Sequence, residues 1–168
     1  LWPQKRVGDL IWGADILRMS GWDCHVAIVG DGPRRSSLER FARDLDILDR
    51  VHFVGHRNDS SSIMQAVDIV CLPSQFEGLP NVALEAMLAR KPVVGTQIVG
   101  TDEVVIHRKT GLLVPPKQPL ALAKALRELL ANPGLAREMG EAGYQRVTQE
   151  FSIAKMVEAY EELLDGLS

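Results

Sequence analysis

Two glutamates near the middle of the chain are the residues best placed to do chemistry. They lie in Ser74-Gln75-Phe76-Glu77-Gly78-Leu79-Pro80-Asn81, which runs on into Val82-Ala83-Leu84-Glu85-Ala86-Met87-Leu88. Pro80 suits the first turn of a helix, where a missing N–H costs nothing. Gly78, Leu79 and Asn81 then fall where unpaired N–H groups and the positive end of the helix dipole collect an anion. The helix itself is apolar almost all round, the pattern of a buried helix. Asn81 and Glu85 are its only polar residues and, one turn apart, share a face. A carboxylate buried there is costly without donors. A ribose diol would supply two, and a buried basic residue would serve equally. Glu77, in the preceding loop, reads by itself as an isolated surface acid.

Three other segments are unusual. Gly30-Asp31-Gly32-Pro33 follows an apolar run; it is not GxGxxG, and it reads either as a tight turn or as a place where a ligand approaches the backbone closely. Pro3-Gln4-Lys5-Arg6 opens a helical pattern, and Gly95 to Glu103 is a glycine-bracketed loop. His25 and His52 read as ordinary strand residues, whereas His56, directly after Gly55 at a strand end, is placed to face a ligand. No metal is expected. Arg34-Arg35 reads as a solvated charge pair.

These loops are positioned by alternating short apolar runs and longer amphipathic ones. Strands are expected at 24–29, 51–54, 68–72, 92–95 and 112–114, and helices at 6–19, 36–45, 62–67, 81–89, 119–131, 133–148 and 153–165. Runs of continuous Val, Ile and Leu point to strands buried on both faces. Strand–helix alternation of this kind gives an α/β, Rossmann-like parallel sheet with helices on both faces. Ligands of such sheets bind at the carboxyl ends of the strands, where all these loops fall. Only Leu1-Trp2 precede Pro3, so a central first strand is expected to be truncated, leaving unpaired strand edges.

Composition narrows the function classes. One domain is expected over all 168 residues, with 46% apolar and 24% charged residues. Nineteen Lys and Arg against 22 Asp and Glu leave a net charge of −3, the wrong sign for a nucleic-acid partner. With 5% aromatics there is little to stack bases on. No apolar run is long enough for a transmembrane segment. Cys24 and Cys71, without a CxxC pair, read as reduced, buried thiols in a cytoplasmic protein.

Glu77-x7-Glu85 within Ser-x-x-Glu-Gly-Leu-Pro-Asn-x-x-Leu-Glu-Ala-Met resembles the signature of GT-B glycosyltransferases of the glycosyltransferase 4, or group 1, type. Gly30-Asp31-Gly32-Pro33, Val51-His52-Phe53-Val54-Gly55, Pro92-Val93-Val94 and Thr110-Gly111-Leu112-Leu113-Val114 agree in order and spacing. The resemblance is to the C-terminal, nucleotide-sugar-binding half, and implies that a separate acceptor-binding N-terminal domain is absent here. It implies transfer of a hexose from a nucleotide-diphosphate sugar with retention and without a metal; the nucleotide sugar is then a substrate and no cofactor is expected. Carried over by position, Glu85 would hold the ribose hydroxyls and Glu77, the catalytic candidate, would touch the donor sugar. Gly78, Leu79, Pro80 and Asn81 would lie against sugar and diphosphate, Lys5 would neutralise the diphosphate, and Gly30, Gly32, Gly55 and His56 would complete the donor site. The family's arginine would fall one residue before Leu1, so half of the basic diphosphate clamp is expected to be absent, and Arg90 stands where glycine is usual. The domain alone is expected to be inert. The implied location is cytoplasmic, the full-length enzyme being able to sit at the inner face of a membrane. Alternatives are half of a GT-B epimerase acting on UDP-N-acetylglucosamine, a non-catalytic nucleotide-binding module and, weakest, an NAD-dependent dehydrogenase. The nucleotide, the sugar and the acceptor stay open.

Overall fold

Short Val-, Ile- and Leu-rich runs form five parallel strands, separated by helices whose apolar stripes cover them. A computed structural model describes residues 1–151 and 155. A 3-10 turn at Pro3–Lys5 leads into α1 (Val7–Met19), followed by β1 (Val26–Val29), α2 (Arg35–Asp44), β2 (Val51–Gly55), α3 (Ser60–Ala66) and β3 (Val70–Leu72). The chain continues through α4 (Asn81–Leu88), β4 (Val93–Thr96), α5 (Thr101–Val104), β5 (Gly111–Val114), α6 (Pro119–Ala131) and α7 (Pro133–Glu150). Pro119 and Pro133 each open their helix, as their fixed φ favours. Apart from Lys155, the helix expected at 153–165 lies outside the described residues.

The strands form two parallel ladders, β1-β2 and β3-β4-β5, with no hydrogen-bonded pairing between β1 and β3. The segment 1–4 runs between the carboxyl ends of those two strands and is bonded to both sides. The Leu1 amine donates to the Asp31 carbonyl, Leu1 O accepts from Arg34 N at 3.1 Å, and Gln4 O accepts from Gln75 N at 2.7 Å. In the β1-β2 ladder Val29 pairs with Gly55 rather than Val54, so Val54 is the extra residue of a bulge at the carboxyl end.

Helix α1 joins the two halves. Ile11 and Ala14 pack with Ile28, Leu38, Ala42, Ile47 and Val51 over the first ladder. Leu17 packs with Leu112, Leu122, Leu126 and Leu129 on the second. Full burial of each such side chain is worth about 1.5–3 kcal/mol. At Gly13 a side chain would lie in ordinary contact with Pro119 O at 3.6 Å, where α1 runs beside the start of α6.

Two expectations about burial need correction. Every residue of β4 and β5 is buried, as their continuous apolar character implies. In β1 and β2, however, only one face is covered, by α1 and α2; His25, Ala27, Val29, His52 and Val54 are exposed on the other. His25 Nδ1 and His52 Nε2 lie 3.0 Å apart there, with ring centroids 5.3 Å apart. Helix α4 likewise is not buried all round. Ala83, Ala86 and Met87 face the core against α7, whereas Asn81, Val82, Glu85 and Leu88 form an exposed stripe.

Arg90 closes α4 in place of the usual glycine. Its φ of 56° is the left-handed conformation of a helix C-terminus, which costs a non-glycine residue about 1 kcal/mol. The guanidinium lies 3.6 Å from the Tyr144 ring centroid and pairs with Glu141 at 2.9 Å. At Gly140 a side chain would stand 2.1 Å from Arg90 O, so α7 is pressed against this turn. Arg90→Ala should lose both contacts while keeping the strain, lowering stability by about 1 kcal/mol. Arg90→Gly should recover part of that loss by relaxing the backbone, and the two urea midpoints, compared with the parent, check the order.

Both cysteines are free and partly buried. Burial pushes the Cys71 thiol, in β3, up to about 12. The folded chain therefore holds this proton more tightly than the unfolded chain. The associated stability is complete below pH 9, the thiol's ordinary value, and is lost as pH rises toward 12. Cys71→Ala should flatten the fall in urea midpoint between about pH 9 and 11 relative to the parent.

Candidate functional site

The loops at the carboxyl ends of β1 to β4, with the segment before α1, form one edge of the molecule. Its centre is Glu77. The Lys5 ammonium donates to Glu77 Oε1 at 2.6 Å, and the Ser74 hydroxyl donates to the same oxygen at 2.6 Å. The Glu77 side chain is 14% exposed and that of Lys5 46%. Glu77 is thus held by two donors in a recess, while Lys5 reaches it from the surface. Behind them the Thr96 hydroxyl, at the end of β4, donates to the Ser74 carbonyl at 2.5 Å. Ser74 and Thr96 are both buried.

Backbone contacts fix this loop. At Gly100, where φ is 87°, a side chain would stand 1.9 Å from Gly78 O and 2.9 Å from Glu77 O. The loop after β4 therefore lies directly on the Glu77–Gly78 peptide. Below it, a side chain at Gly95 would meet the Thr101 methyl at 2.9 Å. The amides of Gly78 and Leu79 donate to no described residue, and both residues are exposed. Asn81 N is spent on Leu79 O at 2.9 Å, and Pro80 precedes the first turn of α4 instead of lying in it. Of the amides expected to collect an anion, those of Gly78 and Leu79 have no partner among the described residues, and that of Asn81 is taken.

Glu85 occupies the exposed stripe of α4 with Asn81 and is paired with no described residue. The expectation that burial forces donors on it is therefore wrong. Its side chain is open to solvent because α7 and the β3-β4-β5 ladder cover only the opposite side of the helix.

The glycine turn is built around the first residues. Gly30 N donates to Gly55 O at 2.7 Å, with φ of 109° at Gly30 and 78° at Gly55. At Gly32 a side chain would stand 1.8 Å from Leu1 N. The Gly32 amide donates to the Asp31 carboxylate, which this bond and the Arg35 guanidinium hold below the ordinary carboxylate range. Arg35 also bonds Glu39 at 2.9 Å and the Phe53 carbonyl at 3.2 Å, so it ties the turn to β2 and is not merely solvated. His56 is exposed beside Gly55.

The structure thus brings Lys5, Glu77 and the Gly78–Leu79 amides together, and places Gly30, Gly32, Gly55 and His56 in an adjoining group. Sequence reasoning missed Ser74, Thr96, Gln4 and Arg35. The Ser-x-x-Glu spacing was the one available signal, since it lets a hydroxyl reach a carboxylate one turn of loop away. Among the described residues no group of three or more His, Cys, Asp or Glu side chains is gathered to hold a metal.

The profile of glycosyl transferases group 1 matches residues 1–146. The chain belongs to that family. N-acetyl-alpha-D-glucosaminyl L-malate synthase of Bacillus anthracis is 33% identical over 159 residues, 95% of this chain and 42% of that protein. HepE of Anabaena, solved in complex with UDP, superposes with a TM-score of 0.90 at 25% identity, covering 99% of this chain and 46% of that one. The C-terminal domain of the group 1 family protein LpcC of Francisella tularensis gives a TM-score of 0.81 at 27% identity, over 91% of this chain and 83% of that one. The chain spans less than half the length of the Bacillus and Anabaena proteins it matches. The α/β architecture, parallel strands flanked by helices, is that of GT-B glycosyltransferase domains.

If the approach of Gly100 to Gly78 sets the height of the Glu77 loop, Gly100→Ala should disturb the whole edge. The left-handed φ and the backbone clash together should cost at least about 2 kcal/mol. Differential scanning calorimetry should show the loss, while Gly134→Ala, where a side chain meets nothing within 4 Å, should leave the transition within about 0.5 kcal/mol.

Proposed function

We propose that this chain is the donor-binding domain of a retaining, metal-independent hexosyltransferase of the glycosyltransferase 4 type. The observation that carries the reading is the 2.6 Å contact between Lys5 and Glu77. In a nucleotide-diphosphate sugar the diphosphate and the sugar are covalent neighbours, so the groups that receive them must be neighbours too. Lys5, assigned to the diphosphate, and Glu77, assigned to the sugar, meet that condition. The complexes of HepE with UDP and with UDP-glucose support a nucleotide-sugar donor.

On this reading the leaving group is a nucleoside diphosphate whose charge grows as the glycosidic bond breaks. Lys5 and the unpartnered amides of Gly78 and Leu79 meet that charge, which is why no cation is required and no cofactor takes part. Glu77 accepts hydrogen bonds from sugar hydroxyls and fixes the ring. Glu85, open on α4, accepts from the ribose diol. Gly30, Gly32, Gly55 and His56 border the remainder of the donor. The acceptor enters from a second, N-terminal domain of the same protein, and the cleft between the two excludes water when it closes. All 168 residues serve as one donor-binding unit, inert without that partner. No helix among the described residues is long and apolar enough to cross a membrane. The location proposed is cytoplasmic, with peripheral attachment at the inner membrane face open to the full-length enzyme.

The two glutamates test the assignment by calorimetric titration of UDP and UDP-glucose against the full-length enzyme. Glu85→Ala should weaken both ligands by a similar factor, about tenfold or more for the loss of charge-assisted bonds of roughly 1.5–3 kcal/mol each. Glu77→Ala should spare UDP and weaken UDP-glucose. Equal losses for both ligands on Glu77→Ala, or none on Glu85→Ala, would overturn it.

A further inference from the structure

Two donors converge on one oxygen of Glu77, and only one of them has another task. If Lys5 serves a diphosphate, its bond to Glu77 weakens whenever the donor is bound, because one ammonium then divides its attraction between two anions. Ser74 carries no charge, is 2% exposed, and makes its 2.6 Å bond to the same Oε1. It has nowhere else to turn. Its carbonyl is held by the buried Thr96 hydroxyl at 2.5 Å, and the neighbouring Gln75 amide donates to Gln4 O at 2.7 Å. Oε2 of Glu77 accepts from no described residue and is left for a ligand hydroxyl.

We propose that Ser74 is a positioning residue for donor-sugar recognition, keeping the Glu77 carboxylate aimed at the sugar after Lys5 has turned to the diphosphate, with Thr96 anchoring Ser74 from the end of β4. The inference rests on the assignment of Glu77 to the sugar and adds residues that assignment does not contain. Ser74 itself touches no substrate and acts through Glu77. Its effect therefore belongs to the sugar-bearing ligand, and it disappears when Glu77 is removed.

The experiment is a double-mutant cycle in the full-length enzyme, titrating UDP and UDP-glucose against Ser74→Ala, Glu77→Ala and the combined variant, with melting temperatures recorded for each. Ser74→Ala should weaken UDP-glucose about five- to tenfold, less than the loss of a direct bond between a charged group and the ligand because Ser74 acts through Glu77, and leave UDP within about twofold. In the Glu77→Ala background the same substitution should have no further effect on UDP-glucose. Ser74→Thr, which keeps a hydroxyl, should restore most of the binding. Thr96→Val, which removes the anchor while leaving Ser74 in place, should give a smaller loss confined to UDP-glucose, and it tests the proposal independently if Ser74→Ala fails to fold. A loss on Ser74→Ala that falls equally on both ligands, or that persists undiminished without Glu77, would overturn the inference and show a purely structural serine. If Glu77→Ala itself fails to separate the two ligands, the assignment beneath the inference is wrong, and that outcome is distinct from a Glu77 effect in which Ser74 takes no part.

Discussion

Helix α1 buries different stretches of its length in different cores. Ile11 and Ala14 serve the β1-β2 ladder, while Leu17 serves the β3-β4-β5 ladder. Because β1 and β3 do not pair with each other, the relation between the halves depends on this helix and on the bonds of the segment 1–4. The packing of Leu17 against Leu122, Leu126 and Leu129 of α6 fixes where α1 lies. Its start is fixed by Arg6, left-handed at φ 46° and bonded through guanidinium Nε and Nη2 to Asp9 at 2.7 Å. Lys5 stands directly ahead of that point. The position of the ammonium beside Glu77 is thus inherited from packing some residues away, and anything that tilts α1 moves Lys5.

The opposite side of the same contact is fixed by backbone rather than by side chains. Gly100 lies on the Glu77–Gly78 peptide, Gly95 leaves room for Thr101, and the Thr96 hydroxyl spans to Ser74. Close backbone approach of this kind holds a loop without apolar burial, which suits an edge that must stay open to a polar ligand. It also explains why small residues cluster here. A methyl group at either glycine would have to displace a main-chain atom or a buried threonine, and neither has space to yield.

Much of this was legible in the residue order. The buried character of β4 and β5 follows from Val93-Val94 and Leu112-Leu113-Val114, and the helix starts at Pro119 and Pro133 follow from proline's fixed φ. The Lys5 and Glu77 loops were both recognisable, but their contact spans 72 positions and nothing local encodes it. The exposure of Glu85 was misread for a similar reason. Val82 and Leu88 make α4 look apolar all round, yet burial is decided by where α7 lies, and α7 covers only the Ala83, Ala86 and Met87 side. The open face of β1 and β2 is the same error on a strand: an apolar sequence shows that a face can be buried without showing that something covers it. Thr96 escaped because its partner is the Ser74 carbonyl, and the tie from Arg35 to β2 escaped because it ends on the Phe53 carbonyl; main-chain acceptors leave no mark on the sequence.

The two glutamates end up held in unlike ways, and the difference bears on what each can discriminate. Glu77 is recessed, with one oxygen engaged by two donors before any ligand arrives. A carboxylate fixed in this way offers a hydroxyl only the lone pairs of its second oxygen, and a misplaced hydroxyl leaves it unsatisfied at a cost of about 1–3 kcal/mol. Glu85 is exposed and paired with no described residue, so it keeps its rotamer freedom and its hydration until something docks. It loses that freedom on binding, at a cost of roughly 0.5–1.5 kcal/mol, but it adapts to small differences in where a diol sits. On the proposed assignment, selectivity among sugars then resides in the rigid Ser74–Glu77 unit, and the ribose, which is the same whichever sugar a given nucleotide carries, is left to the adaptable glutamate on α4.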